Sequence, residues 1–268
     1  VKSLDAFTIE DRRRVRCVLA DIDDTLTTEG RLTAEAYVAL EALQKSGLLV
    51  IAVTGRPAGW CDHIARMWPV DAVVGENGAF YFRYDEYRRK LVKRFLLSDE
   101  ERTANRLRLD ALCTDILNQV PGADVASDQL YREADLAIDF CEDVDPLPWP
   151  EVERIVALFE AAGATAKISS IHVNGWFGTY DKLTMTRILM AECFDLDLDR
   201  DKASCVFVGD SPNDAPMFAF FPHAVGVANL AQFADRLDAH PAYVTDEPSG
   251  AGFAALAKAL IAGRSSPP

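Results

Sequence analysis

VRCVLADIDDTLTTEG, residues 15–30, poses the question on which this chain turns. Residues 15–20 are a short apolar run with β-branched members, which reads as a buried strand. The run ends abruptly at Asp21, and Asp23 and Asp24 follow. Carboxylates this close repel one another, and the end of a core strand is a poor place for them without a counter-charge.

The flanking sequence supplies the frame. Residues 33–47 have helical apolar spacing, a Thr33 N-cap, Glu35 in the first turn and a Gly47 stop. Residues 48–57 read as a second buried strand running into Thr-Gly-Arg-Pro, 58–68 as a helix, and 71–79 as a third strand ending in a glycine-rich turn. This alternation predicts an α/β fold with a doubly wound, Rossmann-like parallel sheet. The pattern then changes. Residues 81–96 alternate like antiparallel strands, 99–119 and 146–163 read as helices, 130–140 as a strand pair and 165–176 as another strand. After a helix at 181–194 the first pattern resumes, with a buried strand within 203–214, a strand at 223–229, another near 242–245 and a last helix at 249–262. The expected organisation is a core of residues 1–82 and 179–268, interrupted by an α+β cap at 83–178 that sets substrate specificity.

Several polar clusters then share an address. Asp21 and Asp23 follow the first strand, Thr54-Gly55-Arg56 the second, Glu76-Asn77-Gly78 the third, and Gly209 through Asp214 a strand beyond the insert. In a parallel sheet these carboxyl ends lie along one edge, where open α/β sheets bind ligands. Asp21, Asp23, Asp210 and Asp214 are predicted to converge there, and converging carboxylates need a cation. Oxygen-only donors point to Mg²⁺ rather than Zn²⁺. Thr54 and nearby backbone N–H groups can hold phosphate oxygens, and Lys182, opening a helix, adds positive charge. The pattern is that of a phosphoryl-transfer site in which an Asp can act as nucleophile.

D-x-D-x-T at 21–25, T-G-R at 54–56, the helix-opening Lys182 and G-D-x-x-N-D at 209–214 occur in one order and together resemble the haloacid dehalogenase superfamily of phosphohydrolases. The insert resembles the larger, C2-type cap, and its layout with the ENGA turn is most similar to the Cof-like branch, which includes phosphatases of sugar phosphates and phosphomannomutase. The resemblance implies that Asp21 attacks phosphorus, that Asp23 is the general acid and base, and that Thr54, Gly55, Lys182 and Asn213 hold the phosphoryl group. It implies Mg²⁺ ligation by Asp21, Asp210 and the backbone carbonyl of Asp23, with Asp214 acting nearby through Lys182 or a metal-bound water. It further implies a small phosphorylated metabolite as substrate, in the first instance a sugar phosphate. A phosphomutase and a non-catalytic ligand-binding protein on the same fold are the alternatives. One residue departs from the family pattern: Asp24 stands where Gly is commonest.

Weaker candidates for substrate contact are Arg56, Asn77 and Gly78. Arg56 is equally suited to pinning its loop. His172, Asn174 and Trp176 alternate and so share one strand face, where Trp could stack on a sugar; simple strand packing is the plainer reading. Lys167 rivals Lys182 but falls in a cap strand pattern. DLDLDRD at 195–201 lacks the Gly and Glu an EF-hand needs and reads as a solvated loop. The net charge of −14 argues against nucleic acid and anionic membrane as partners. Six scattered cysteines without a CxxC pair, no signal-peptide pattern and no apolar run of membrane-span length predict a cytoplasmic home. The sequence carries no signature of an oligomeric state. The closing GRSSPP reads as a frayed tail.

Overall fold

The structure is a computed structural model that describes residues 1–265. Lys2–Ser3 (β1) and Ile9–Arg14 (α1) lead into Cys17–Ala20 (β2), the strand before Asp21. A small hairpin, Thr27–Thr28 (β3) and Arg31–Leu32 (β4), precedes Ala34–Lys45 (α2). Thr33 caps that helix by accepting the Ala36 N–H, and Gly47 leaves it at φ +80°. Leu49–Val53 (β5), Ala58–Met67 (α3) and Ala72–Gly75 (β6) complete the first parallel run. Phe80–Asp85 (β7) and Lys90–Phe95 (β8) follow as a hairpin.

The next segment holds Asp99–Gln119 (α4), Asp124–Val125 (β9), Leu136–Asp139 (β10), Trp149–Ala161 (α5), Thr165–Ile168 (β11) and His172–Trp176 (β12). The chain returns through Lys182–Phe194 (α6), Leu198–Asp201 (α7), Cys205–Gly209 (β13), Ala215–Phe220 (α8), Ala224–Gly226 (β14), Tyr243–Val244 (β15) and Ser249–Ser265 (α9).

Among the described residues the central sheet has nine strands in the order β1-β15-β14-β13-β2-β5-β6-β7-β8. All of its neighbours pair in parallel except β6–β7 and β7–β8. Successive residues of β2 feed opposite faces: Cys17 and Leu19 join one apolar cluster, Val18 and Ala20 the other. Burial on both faces is why these strands read as unbroken apolar runs. From β2 the chain winds one way through β5 and β6, and after the insert it winds the other way through β13 and β14. The crevice at this reversal lies between the ends of β2 and β13, where Asp21 and Asp210 emerge.

A second, antiparallel sheet runs β11-β12-β10-β9. Leu136, Ile138 and Val173 on one face pack with Leu109, Leu112 and Ile116 of α4 and Val152, Ile155 and Phe159 of α5. Ala137, Asp139, His172 and Asn174 occupy the other face, paired across β10 and β12.

The structure departs from the sequence reading in several places. Residues 83–95, expected in the insert, extend the central sheet, because β7 pairs with β6 as well as β8. Residues 165–176 are two strands, folded back so that Lys167 opposes Asn174. Residues 130–140 contain one strand, β10, which pairs with β9 and β12. Residues 198–201 form a helical turn capped by Asp197 rather than a loop. At the end of the chain α9 continues to Ser265, and Arg264 donates to the Val15 carbonyl. Residues 266–268 of the expected tail lie outside the described residues.

Candidate active site

Asp21, Asp210 and Asp214 are all buried, and an oxygen from each lies within 4.8 Å of the others. Lys182 opens α6 and is itself buried. Its Nζ donates to Asp21 Oδ1 and Asp214 Oδ1, both at 2.7 Å. Burial works against the Lys182 ammonium, but Asp21 and Asp214 outweigh it and raise its pKa. The Asp21 carboxyl is pushed up to about 8, first by burial and then by Asp214 and Asp23, with Lys182 opposing. Burial and the charge of Asp21 push Asp210 up as well.

Three buried carboxylates against one ammonium leave a surplus that matches a divalent cation. The donor set is oxygen only, so the residues present fit a hard ion. Asp214 is the most committed of the three: beyond Lys182 it accepts the backbone N–H groups of Asp210 and Ser211. Thr25, which closes the D-x-D-x-T motif, and Asn229, which sequence reading missed, both donate to Asp210, at 3.2 and 3.4 Å.

Gly78 explains how Lys182 is placed. It sits at φ +105°, and a Cβ there would come within 2.0 Å of the Asp181 carbonyl oxygen. The turn after β6 therefore packs directly on the start of α6, and Gly78 serves that close approach rather than a ligand. Asn77 lies behind Gly55, with its Nδ2 buried and unpartnered. Thr54 is fully buried, and its hydroxyl oxygen accepts the Arg56 N–H. Asp24 adopts φ +53°, the left-handed conformation that favours glycine, which accounts for the family preference at that position.

Arg56 is buried and tied on all sides. Its Nε donates to both Asp23 oxygens at 2.9 and 3.0 Å. Its Nη1 donates to Asp128 at 3.2 Å and its Nη2 to Glu142 at 2.8 Å. Arg132 continues the network: it binds Asp128 and Asp135 and donates to the Gly55 carbonyl. Glu76 accepts the N–H groups of Ala58, Glu133, Ala134 and Asp135. These contacts join the edge of the central sheet to the segment carrying the second sheet. Trp149 joins them too, with Phe233 edge-on and the Arg236 guanidinium 4.2 Å from its ring.

Between the two sheets lies a cavity of about 10 Å³, room for about one water. Asp21, Asp23, Gly55, Arg56, His172 and Asn213 are in its wall. Asn174 is there as well, donating to Asp135, whereas Trp176 is turned into the core, stacked on Tyr180 and bonded to its carbonyl. Trp176 therefore offers no stacking surface to a ligand. Lys167 stands on β11, away from the carboxylates that Lys182 joins.

Residues 18–104 match the family model of haloacid dehalogenase-like hydrolases. The chain is also 30% identical to a phosphoglycolate phosphatase of Haloarcula marismortui over 240 residues, covering 88% of this chain and 93% of that protein. The chain belongs to the haloacid dehalogenase-like hydrolases.

Within that family it is a phosphoric monoester hydrolase. Solved structures agree on the fold of this haloacid dehalogenase-like chain. A Thermoplasma acidophilum protein aligns with a TM-score of 0.68 at 19% identity, over 92% of this chain and 98% of that one. The sucrose-phosphatase of a Synechocystis species aligns with a TM-score of 0.62 at 15% identity, over 92% and 98%. The Candida (C. albicans) trehalose-6-phosphate phosphatase C-terminal domain gives 0.71 at 13%, over 97% and 98%.

Glu142 carries a pH signature. Partial burial opposes its charge, but His172 and Arg56 overcome this and push its pKa from 4.5 down to about 2. A carboxyl with a depressed folded-state pKa stabilises the fold above its unfolded value, and that contribution fades as pH falls toward the folded one. Wild type should therefore exceed Glu142→Gln in thermal stability above a pH of about 4.5, with the difference shrinking toward zero near a pH of about 2. A difference that does not change with pH would refute the assignment.

Proposed function

We propose that the protein is a Mg²⁺-dependent phosphomonoesterase that acts on a small phosphorylated metabolite through an aspartyl-phosphate at Asp21. The observation that carries this reading is the buried Asp21–Lys182–Asp214 chain beside Asp210, opening on the cavity that Asp23 also lines. Asp21 attacks phosphorus with the oxygen that Lys182 does not hold. Lys182 then faces the transferred group and offsets its charge. Asp23 gives a proton to the leaving oxygen and afterwards takes one from the attacking water. Arg56 orients Asp23, while Thr54, Gly55 and Asn213 hold phosphoryl oxygens. Asp21, Asp210 and the Asp23 carbonyl would hold the ion, with Asp214 close enough to join them. The ion, when bound, supplies charge neutralisation on the phosphoryl oxygens.

The inserted segment acts as the cap in this reading. Its polar sheet face, with His172 and Asn174, closes the site against water and sets specificity. Two substrate classes compete. A sugar phosphate is the class suggested by the sequence, and the sucrose- and trehalose-phosphate enzymes share the fold. The archaeal relative is named for phosphoglycolate, a smaller anion. Cytoplasmic residence is part of the same proposal, supported by six cysteines that stand as free thiols. No helix among the described residues is long and apolar enough to cross a membrane.

The test is phosphate release from a panel of sugar phosphates, phosphorylated acids and p-nitrophenyl phosphate, with Mg²⁺ and with EDTA. Release that needs Mg²⁺ and stops on chelation is the expected result. Metal-independent release, or sugar isomerisation without free phosphate, would overturn the reading.

A further inference from the structure

Arg56 and His172 form a cradle for a carboxylate, and in this arrangement the cradle is filled by the protein itself. Glu142 Oε1 accepts from Arg56 Nη2 at 2.8 Å, and Glu142 Oε2 lies 2.8 Å from His172 Nε2. His172 is almost wholly buried, yet its Nε2 is off-axis to Glu142 and makes no hydrogen bond. Of the three carboxylates on Arg56, Glu142 has the most exposed side chain, at 27% against 18% for Asp23 and 6% for Asp128. It follows β10 in a segment without helix or strand, so it is the partner most easily withdrawn.

The cradle adjoins the reacting atoms. The same Arg56 Nη2 that binds Glu142 lies 2.9 Å from Asp23 Oδ1. Asp23 and Glu142 oxygens are therefore less than about 6 Å apart, a gap that a two- or three-carbon acid can bridge. A cavity fit for about one water cannot admit a substrate, so a wall must move. Withdrawing Glu142 frees the cradle without breaking the contacts of Arg56 with Asp128 or of Glu76 with the cap backbone.

We propose that Glu142 is an internal stand-in for a carboxylate on the substrate, and that Arg56 and His172 select phosphate esters of short hydroxy acids. This rests on the phosphatase reading and decides between its two substrate classes. A guanidinium and an imidazole N–H recognise a carboxylate, the guanidinium through charge-assisted bonds, which a neutral hydroxyl in the same place cannot replace. Glu142 competes for the cradle, so it raises KM for such substrates without entering the chemistry.

The experiment compares kcat and KM for phosphoglycolate and phosphoglycerate with those for glycerol phosphate, glucose phosphate and p-nitrophenyl phosphate. The wild type should favour the carboxylated esters by about tenfold or more in kcat/KM. Glu142→Gln should lower KM for the carboxylated esters alone, leaving glycerol phosphate unchanged. His172→Gln should raise KM for the carboxylated esters by more than for glycerol phosphate, with the fold checked by thermal unfolding. Equal use of carboxylated and neutral esters, or a Glu142→Gln effect shared by both, would overturn the inference while leaving the phosphatase intact. Absence of release from every ester, p-nitrophenyl phosphate included, would overturn the phosphatase reading and this one with it.

Discussion

Asp21→Asn removes phosphate release, by more than about 10⁴-fold, and leaves a folded protein. The activity loss has the scale expected when a covalent nucleophile is deleted. The stability expectation comes from the burial of the site. Asp21 is charged only against opposition, since burial and Asp214 push its carboxyl up to about 8. An amide of the same shape still accepts from Lys182, which keeps Asp214 as its charged partner. The variant should lie within about 1 kcal/mol of wild type in denaturant unfolding. Phosphate release and unfolding measured on one preparation give the check. A variant that folds and still turns over would remove Asp21 from the chemistry.

Lys182→Met gives the opposite pairing, with stability lost together with activity. Lys182 is the cation on Asp21 and Asp214, and all three side chains are nearly inaccessible to water. Taking away one partner of a buried ion pair leaves uncompensated charge, at a cost of about 3–5 kcal/mol. Here the residual charge is concentrated, because Asp210 adds a third carboxylate. On the proposed reading Mg²⁺ would bind the native arrangement and not the unfolded chain, so it should restore part of that stability as its concentration rises. Chemical denaturation with and without Mg²⁺ measures both effects. A loss below about 1 kcal/mol, indifferent to Mg²⁺, would mean that the three aspartates do not share a cation site.

What could be read from the sequence follows from where the information lies. Asp21, Thr54 and Asp210 were identifiable because parallel strands deliver their ends to one edge, so local patterns predict a shared location, whereas Lys182 was singled out as the residue that opens a helix. The start of α4 is fixed in the structure by a capping box of Ser98 and Glu101. The hairpin of β7 and β8 was readable as strands but not as part of the central sheet, since alternation does not say which sheet accepts a strand. The break between β11 and β12 was missed because Ser169 and Ser170 are weak turn signals between apolar residues. Trp176 shares a strand face with His172 and Asn174, yet the face is long enough for one end to meet Tyr180 while the other meets the cavity. The partners of Arg56 were beyond reach: Asp128 and Glu142 are acidic loop residues like many others until the second sheet is set in place.

Glu76 bears on how the cap can move. The segment from α4 to β12 is joined to the central sheet by two chain crossings, and two crossings alone define an axis about which a body can swing. The Glu76 carboxylate adds a tie to the backbone of residues 133–135, and Arg56–Asp128 and Trp149–Phe233 add others. Attachment at points off a single axis removes that rotation, so the segment behaves as a bolted plate and not as a door. Substrate entry then proceeds by local movement of side chains at the cavity, or waits for the bolt to release. Burial and Asp135 push the Glu76 carboxyl up to about 7, against Arg132 and the N–H groups it accepts. Burial thus works against the very charge on which this tie relies.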